Sequence, residues 1–176
     1  MRIMPRAASI GLILMAFFCA ACSKETDYSP SPPVKFGMTA TPNGNSGEGT
    51  FEIKQKQIYW IELDLHYKTQ DQLRELLSLV GSTTDRYRGI QSAKDVNIPI
   101  YVTIYDHMGY IILDADVRVN GYTNHRSEDI DSGYVGRNIV SVMLAPGEYK
   151  IKVAALRPPG IFSDFGWSVG VFNYIH

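Results

Sequence analysis

Ile58-Tyr-Trp-Ile-Glu-Leu-Asp-Leu-His-Tyr67 is the stretch whose reading decides the fold. Tyr59, Ile61, Leu63, Leu65 and Tyr67 fall on one side at a period of two, and Trp60, Glu62, Asp64 and His66 fall on the other. Strict alternation over a run of this length marks a β-strand with one face in a core and the other toward water. The expected setting is an antiparallel sheet whose outer side is solvated. The period then changes. Leu73, Leu76, Leu77 and Val80 follow the 3, 4, 7 spacing of a helix face, Thr69 and Gln72 stand as a capping box, and Gly81 suits the C-terminal stop. One amphipathic helix of about three turns therefore follows the strand.

Working outward, alternation returns in Ile98–Tyr105 and in Tyr110–Val119, joined by a tight turn at Asp106–Gly109, and this pair reads as a hairpin. A second hairpin is predicted from Arg137–Leu144 and Glu148–Leu156 around Ala145-Pro-Gly147, and Trp167–Tyr174 closes the chain. On the N-terminal side, Thr50–Lys54 is a short strand, Thr41–Gly49 a turn-rich loop and Val34–Ala40 a first edge strand. The expected fold is mainly β, an antiparallel β-sandwich of seven to eight strands with one amphipathic helix, over residues 34–176. In such a domain successive connections fall at alternate ends. Here they alternate between tight (55–57, 106–109, 145–147) and long (68–97, 120–136, 157–166), so the long ones are expected to gather at one pole. The side chains expected to meet a partner there are Arg86, Tyr87 and Arg88 in the first long connection, Tyr122, His125, Arg126 and Tyr134 in the second, and Phe162 in the third, beside Ile161 and Phe165.

The first residues carry Arg2 and Arg6 ahead of an uncharged run from Ala7 to Ala21. That run is shorter than the roughly 20 residues a helix needs to cross a bilayer, and the layout is that of a secretory signal. Its exit, Cys19-Ala-Ala-Cys22-Ser23, resembles a bacterial lipobox, with Cys19 where leucine is usual. The resemblance implies a signal peptide over residues 1–21, acylation of Cys22, and a proline-containing tether over residues 22–33. Ser23 resembles the outer-membrane address of such lipoproteins. Cys19 leaves with the leader and Cys22 carries lipid. As the chain has 2 Cys, that leaves no thiol for a disulfide, a zinc site or a nucleophile.

The 176 residues hold 17 Lys+Arg against 18 Asp+Glu, which provides no basic field for nucleic acid, and 45% hydrophobic residues are too many for a disordered chain. The chain has no Gly-x-Ser-x-Gly elbow, no phosphate-binding glycine loop ending in Gly-Lys-Ser/Thr, and no His-Glu-x-x-His. Glu62, Asp64 and His66, and likewise Asp114, Asp116 and Arg118, read as solvated strand faces, with about 7 Å between successive members. Glu128–Gly133 lacks the full ligand series of a calcium loop. No catalytic residue, metal or cofactor is expected. The rival expectation is a metal-dependent ligand binder or hydrolase using His125, Asp129 and Asp131.

The order of Ile58–Tyr67, the helix, Pro99-Ile-Tyr-Val-Thr-Ile-Tyr105, the Leu144-Ala-Pro-Gly-Glu-Tyr149 corner, Ala155-Leu-Arg-Pro158 and the aromatic closing strand resembles a proteobacterial family of small lipoproteins known by a domain of unknown function, DUF5625. The resemblance implies a lipidated sandwich and supplies no catalytic residue. The small outer-membrane lipoprotein of type VI secretion and the periplasmic immunity lipoproteins are similar in outline, and both act by binding protein. The expectation is thus a non-enzymatic lipoprotein, held by Cys22 on the periplasmic face of the outer membrane, that binds a periplasmic protein, as an immunity protein against a secreted toxin or as a structural part of a secretion or envelope assembly.

Overall fold

The alternating run lies at the centre of the molecule. The protein is described by a computed structural model over residues 31–80, 96–119, 124–156 and 160–173. Its elements are β1 (Val34–Gly37), β2 (Thr39–Thr41), β3 (Gly44–Ile53), β4 (Gln57–Tyr67), α1 (Gln70–Val80), β5 (Ile98–Asp106), β6 (Ile111–Val119), β7 (Asn124–Ser127), β8 (Gly133–Leu144), β9 (Gly147–Leu156) and β10 (Gly166–Asn173). They form two five-stranded antiparallel sheets, β1-β10-β4-β8-β7 and β2-β3-β9-β5-β6. β4 is the middle strand of its sheet, and its apolar face meets Phe51, Ile100, Val102, Ile151 and Val153 of the other sheet in one core. The β-sandwich expectation holds, and the period of two is its cause: every strand of the core turns alternate residues inward.

Three boundaries differ from the sequence expectation, each for a tertiary reason. The first edge strand is two strands in different sheets, because the chain crosses from one sheet to the other at Met38, whose N–H donates to the Trp167 carbonyl at 2.9 Å. The predicted loop 41–49 is mostly β3. Its glycines serve close approach rather than turning: a Cβ on Gly49 would enter the Phe36 ring, and one on Gly47 would come to 2.9 Å from the Gly37 carbonyl oxygen. The actual turn is Pro42-Asn43, followed by Gly44 at φ 133. Finally, Asn124–Ser127 is not loop but the edge strand β7, paired with Gly133–Gly136 of a longer β8.

The helix packs Leu76, Leu79 and Val80 into the core. Its cap differs from the predicted box by one residue. Thr69 Oγ1 accepts from the Gln72 N–H at 3.1 Å, but the Gln72 carboxamide oxygen accepts from the Lys68 N–H, at 2.8 Å, and not from Thr69. Thr69→Ala is expected to lower the unfolding free energy by about 1 kcal/mol, read from the midpoint of a urea transition at unchanged slope.

The register fixes the two poles. Tyr67 at the end of β4 pairs with Gly133 at the start of β8, and His66 with Gly166 at the start of β10. Leu144 and Gly147 flank a short turn at the opposite end, but β8 and β9 lie in different sheets and do not pair, so the predicted second hairpin is instead a crossing from one sheet to the other. β9 then runs back toward the first pole, where Leu156 meets Gly44 and Ala155 meets Ile100. The connections leaving Tyr67, Val119 and Leu156 all therefore emerge at one pole, while those at 54–56, 107–110 and 145–146 lie at the other.

Candidate functional site

At the long-connection pole the chain forms an open cleft of about 450 Å³. One wall is the Thr41–Gly44 hairpin, and the other is the segment from Gly160 to Trp167. Phe162, Phe165 and Trp167 form the base: the Phe162 ring meets the other two edge to face, with centroids 6.2 Å apart for Phe162 and Trp167, and the Trp167 indole Nε1–H donates to the Phe162 carbonyl at 3.3 Å. Ile161, 44% exposed, and Ile130, 83% exposed, stand at this pole. The hairpin wall was missed in the sequence. Its signal is Pro42-Asn43-Gly44, a turn pattern hidden in a stretch whose other glycines belong to a strand.

The structure separates the side chains expected to meet a partner. Cys22, Arg86, Tyr87, Arg88 and Tyr122 lie outside the described residues. His125 and Arg126 are exposed, but on β7 rather than in a loop, and the His125 Nε2 is held 2.8 Å from the Tyr67 hydroxyl. Tyr134 is 4% exposed and Phe162 is 1% exposed, so neither is a contact side chain. Tyr134 lies beneath Lys35, and Phe162 is drawn into the core by Phe165 and Trp167. Asp129 and Asp131 are exposed in the β7–β8 connection, where Asp129 Oδ1 accepts from the N–H of Ile130 at 2.6 Å. Among the described residues no three His, Cys, Asp or Glu side chains converge as metal ligands.

The largest departure from the sequence expectation is on the outer face of β4. Glu62 is 1% exposed and Asp64 is 0% exposed, not solvated. Three of their four cross-strand neighbours are small: Gly170 beside Glu62, whose other neighbour is Asn138, and Ser168 and Gly136 beside Asp64. Longer side chains close over this trough. Lys35, from β1, brings Nζ to 2.8 Å from Asp64 Oδ2 and to 3.1 Å from the centroid of the Tyr134 ring. Phe172 folds back over Gly170, where a Cβ would collide with its ring, and Arg126 approaches the same ring to 5.8 Å. Asn124 Nδ2 donates to both Glu62 oxygens, at 2.7 and 2.9 Å. His66 Nε2 lies 2.8 Å from Ser168 Oγ.

Burial disfavours charge throughout this cluster. It pushes the Glu62 carboxyl up to about 7, with the Asn124 hydrogen bond opposing and the Asp64 charge adding. It also pushes Asp64 up, against the nearby Lys35 ammonium, and pushes the His66 imidazole down. The result is two buried carboxyls on one face of β4, with Glu62 pushed up toward neutrality, under a roof of Lys35, Tyr134 and Phe172. Such a pair can take up or release a proton. The cleft at the long-connection pole does not reach it, since that cleft is lined by other residues.

A second concavity, about 580 Å³, runs over the outer face of the other sheet between Tyr101, Thr103 and Tyr105 on one side and Ser46 and Glu48 on the other. Lys152 stands in its floor, 5.7 Å from the Tyr105 ring. Hydroxyls and a Lys150–Glu48 ion pair of 3.1 Å give it a polar character.

Residues 35–172 match a domain of unknown function, DUF5625, and the chain belongs to that family. The crystal structure of the protein GEBA250068378 from Sulfurospirillum deleyianum superposes with a TM-score of 0.60 at 12% identity, covering 81% of this chain and 98% of that one. At that identity the likeness is one of fold. No curated protein matches the chain.

Proposed function

We propose that this member of the DUF5625 family is an envelope lipoprotein, tethered through acylated Cys22 to the periplasmic leaflet of the outer membrane, that binds a protein partner at its long-connection pole and performs no chemistry of its own. The observation that carries the reading is the gathering of every long connection at one end of a rigid sandwich, around a cleft with aromatic residues at its base. Connections held on such a scaffold are where binding surfaces arise. The lipobox-like Cys19-Ala-Ala-Cys22 supports the tether. The finer version of the reading is an immunity protein that covers a toxin delivered into the periplasm.

Photo-crosslinking in living cells tests the pole. With the crosslinker at Ile161 or Ile130 the same protein adduct is expected, and with the crosslinker at Asp116, on the exposed sheet edge, none. Adducts that do not distinguish these positions would remove the assignment of the pole. For the finer version, cells lacking the gene should lose in contact-dependent competition with the parent strain; equal survival removes it.

A further inference from the structure

The tight-turn pole exposes a run of large apolar side chains. Met108, Tyr110, Ile111 and Ile112, at the tip of the β5–β6 hairpin, are 67%, 65%, 58% and 44% exposed, and Met143 and Ile58 are exposed near the same end of β8 and β4. The tip is held firmly. Asp106 Oδ1 accepts from the N–H groups of Met108 and Tyr110, each at 2.9 Å, the Gly109 N–H donates to the Asp106 carbonyl at 3.0 Å, and Gly109 takes φ 84. This is a built projection with its apolar side chains facing out, the kind of patch that marks a contact surface.

Where the chain enters the domain says what that surface meets. Val34 pairs with Val171 near the end of β10, and Ser31 and Pro32 lie against Glu52, Gln55, Gln57 and Tyr59 at the β3–β4 turn. The N-terminal tether thus leaves from the tight-turn pole. Cys22 precedes Ser31 by only nine residues, a reach of at most about 30 Å. β4 alone, with 11 residues, spans about 33 Å, so the long-connection pole lies at the limit of the tether's full extension while the tight-turn pole lies at its root.

We infer that the tight-turn pole is a membrane-facing surface: Met108, Tyr110, Ile111 and Ile112 seat in the headgroup and upper acyl region of the bilayer that holds the lipid on Cys22. This rests on the lipoprotein reading and adds an orientation to it. Tyrosine suits the interface and methionine and isoleucine the acyl boundary, and a protein contact added to a lipid anchor makes attachment firmer than either alone. Seated so, the sandwich stands upright and its long connections point away from the membrane.

The test uses the acylated mature chain reconstituted in phosphatidylethanolamine–phosphatidylglycerol vesicles. Ile112→Cys or Ile130→Cys carries an environment-sensitive fluorophore; the acylated Cys22 thiol does not react. The label at 112 should shift to the blue on reconstitution and become shielded from iodide, while the label at 130 stays as in detergent. Equal iodide access at the two positions on an acylated chain, or shielding at both, overturns the orientation alone. Shielding at 112 already present without lipid assigns the patch to protein contact and also overturns it. A purified chain whose mass lacks the acyl groups removes the lipoprotein reading, and the orientation with it.

Discussion

Lys35→Met is expected to lower the unfolding free energy by about 3 kcal/mol near neutral pH, because it strips the partner from a carboxylate that has no access to water. Asp64 is 0% exposed, and its contact with Lys35 Nζ is 2.8 Å. The lysine also lies 3.1 Å from the centroid of the Tyr134 ring, so the substitution removes a cation–π contact together with the ion pair. Methionine keeps most of the aliphatic stem, so the loss reports charge more than packing. The signature that separates this from ordinary damage is its pH dependence. Lys35 holds the Asp64 proton affinity down against burial. Without it Asp64 takes its proton at higher pH, and the variant should lose less stability at pH 5 than at pH 8. Adding Asp64→Asn should recover most of the loss. Urea unfolding of the two variants at both pH values checks this; a loss independent of pH, or no recovery in the double variant, refutes the pairing.

That cluster also shows which parts of the molecule were legible in the sequence. The strand Ile58–Tyr67, the β5–β6 hairpin and the helix depend on periods that a dozen residues already display, and each appears where expected. Arg137–Leu144 and Glu148–Leu156 are strands as expected but not a hairpin, since which sheet a strand joins is not written in its period. Even the gathering of the long connections followed from alternating direction, with no side chain consulted. The burial of Glu62 and Asp64 is different in kind. It requires Lys35 from β1, Tyr134 from β8 and Phe172 from β10 to meet over one trough, and no local pattern records which strands become neighbours. The hint present was a set of small residues in strand interiors, Gly136 and Gly170, at the positions that flank the carboxylates. The same limit explains Tyr134, covered by Lys35 from β1, and Phe162, packed on Phe165 and Trp167. It also explains Met38, where the change of sheet depends on β10 rather than on any breaker.

Glu62→Gln is expected to stabilise the protein above neutrality and to flatten its pH profile. In the folded chain the Glu62 carboxyl is pushed up to about 7, from an ordinary 4.5, chiefly by burial. The native state therefore binds a proton more tightly than the unfolded state, and stability is fully present below pH 4.5 and declines as pH rises toward about 7. A shift of this size corresponds to about 3 kcal/mol between the two limits. Asp64, raised for the same main reason, adds to the decline, whereas His66, lowered by burial, works the other way and costs stability as pH falls below its ordinary range. Glutamine imitates the protonated acid: its carbonyl can accept from Asn124 Nδ2, and it places no charge beside Asp64. The variant should match the parent near pH 4.5 and exceed it by about 2–3 kcal/mol at pH 8. Thermal and urea unfolding across that range test the claim. Parallel profiles for parent and variant would mean that Glu62 is ionised in the fold at neutrality, and that its carboxylate is solvated or paired by some group other than the roof formed by Lys35, Tyr134 and Phe172.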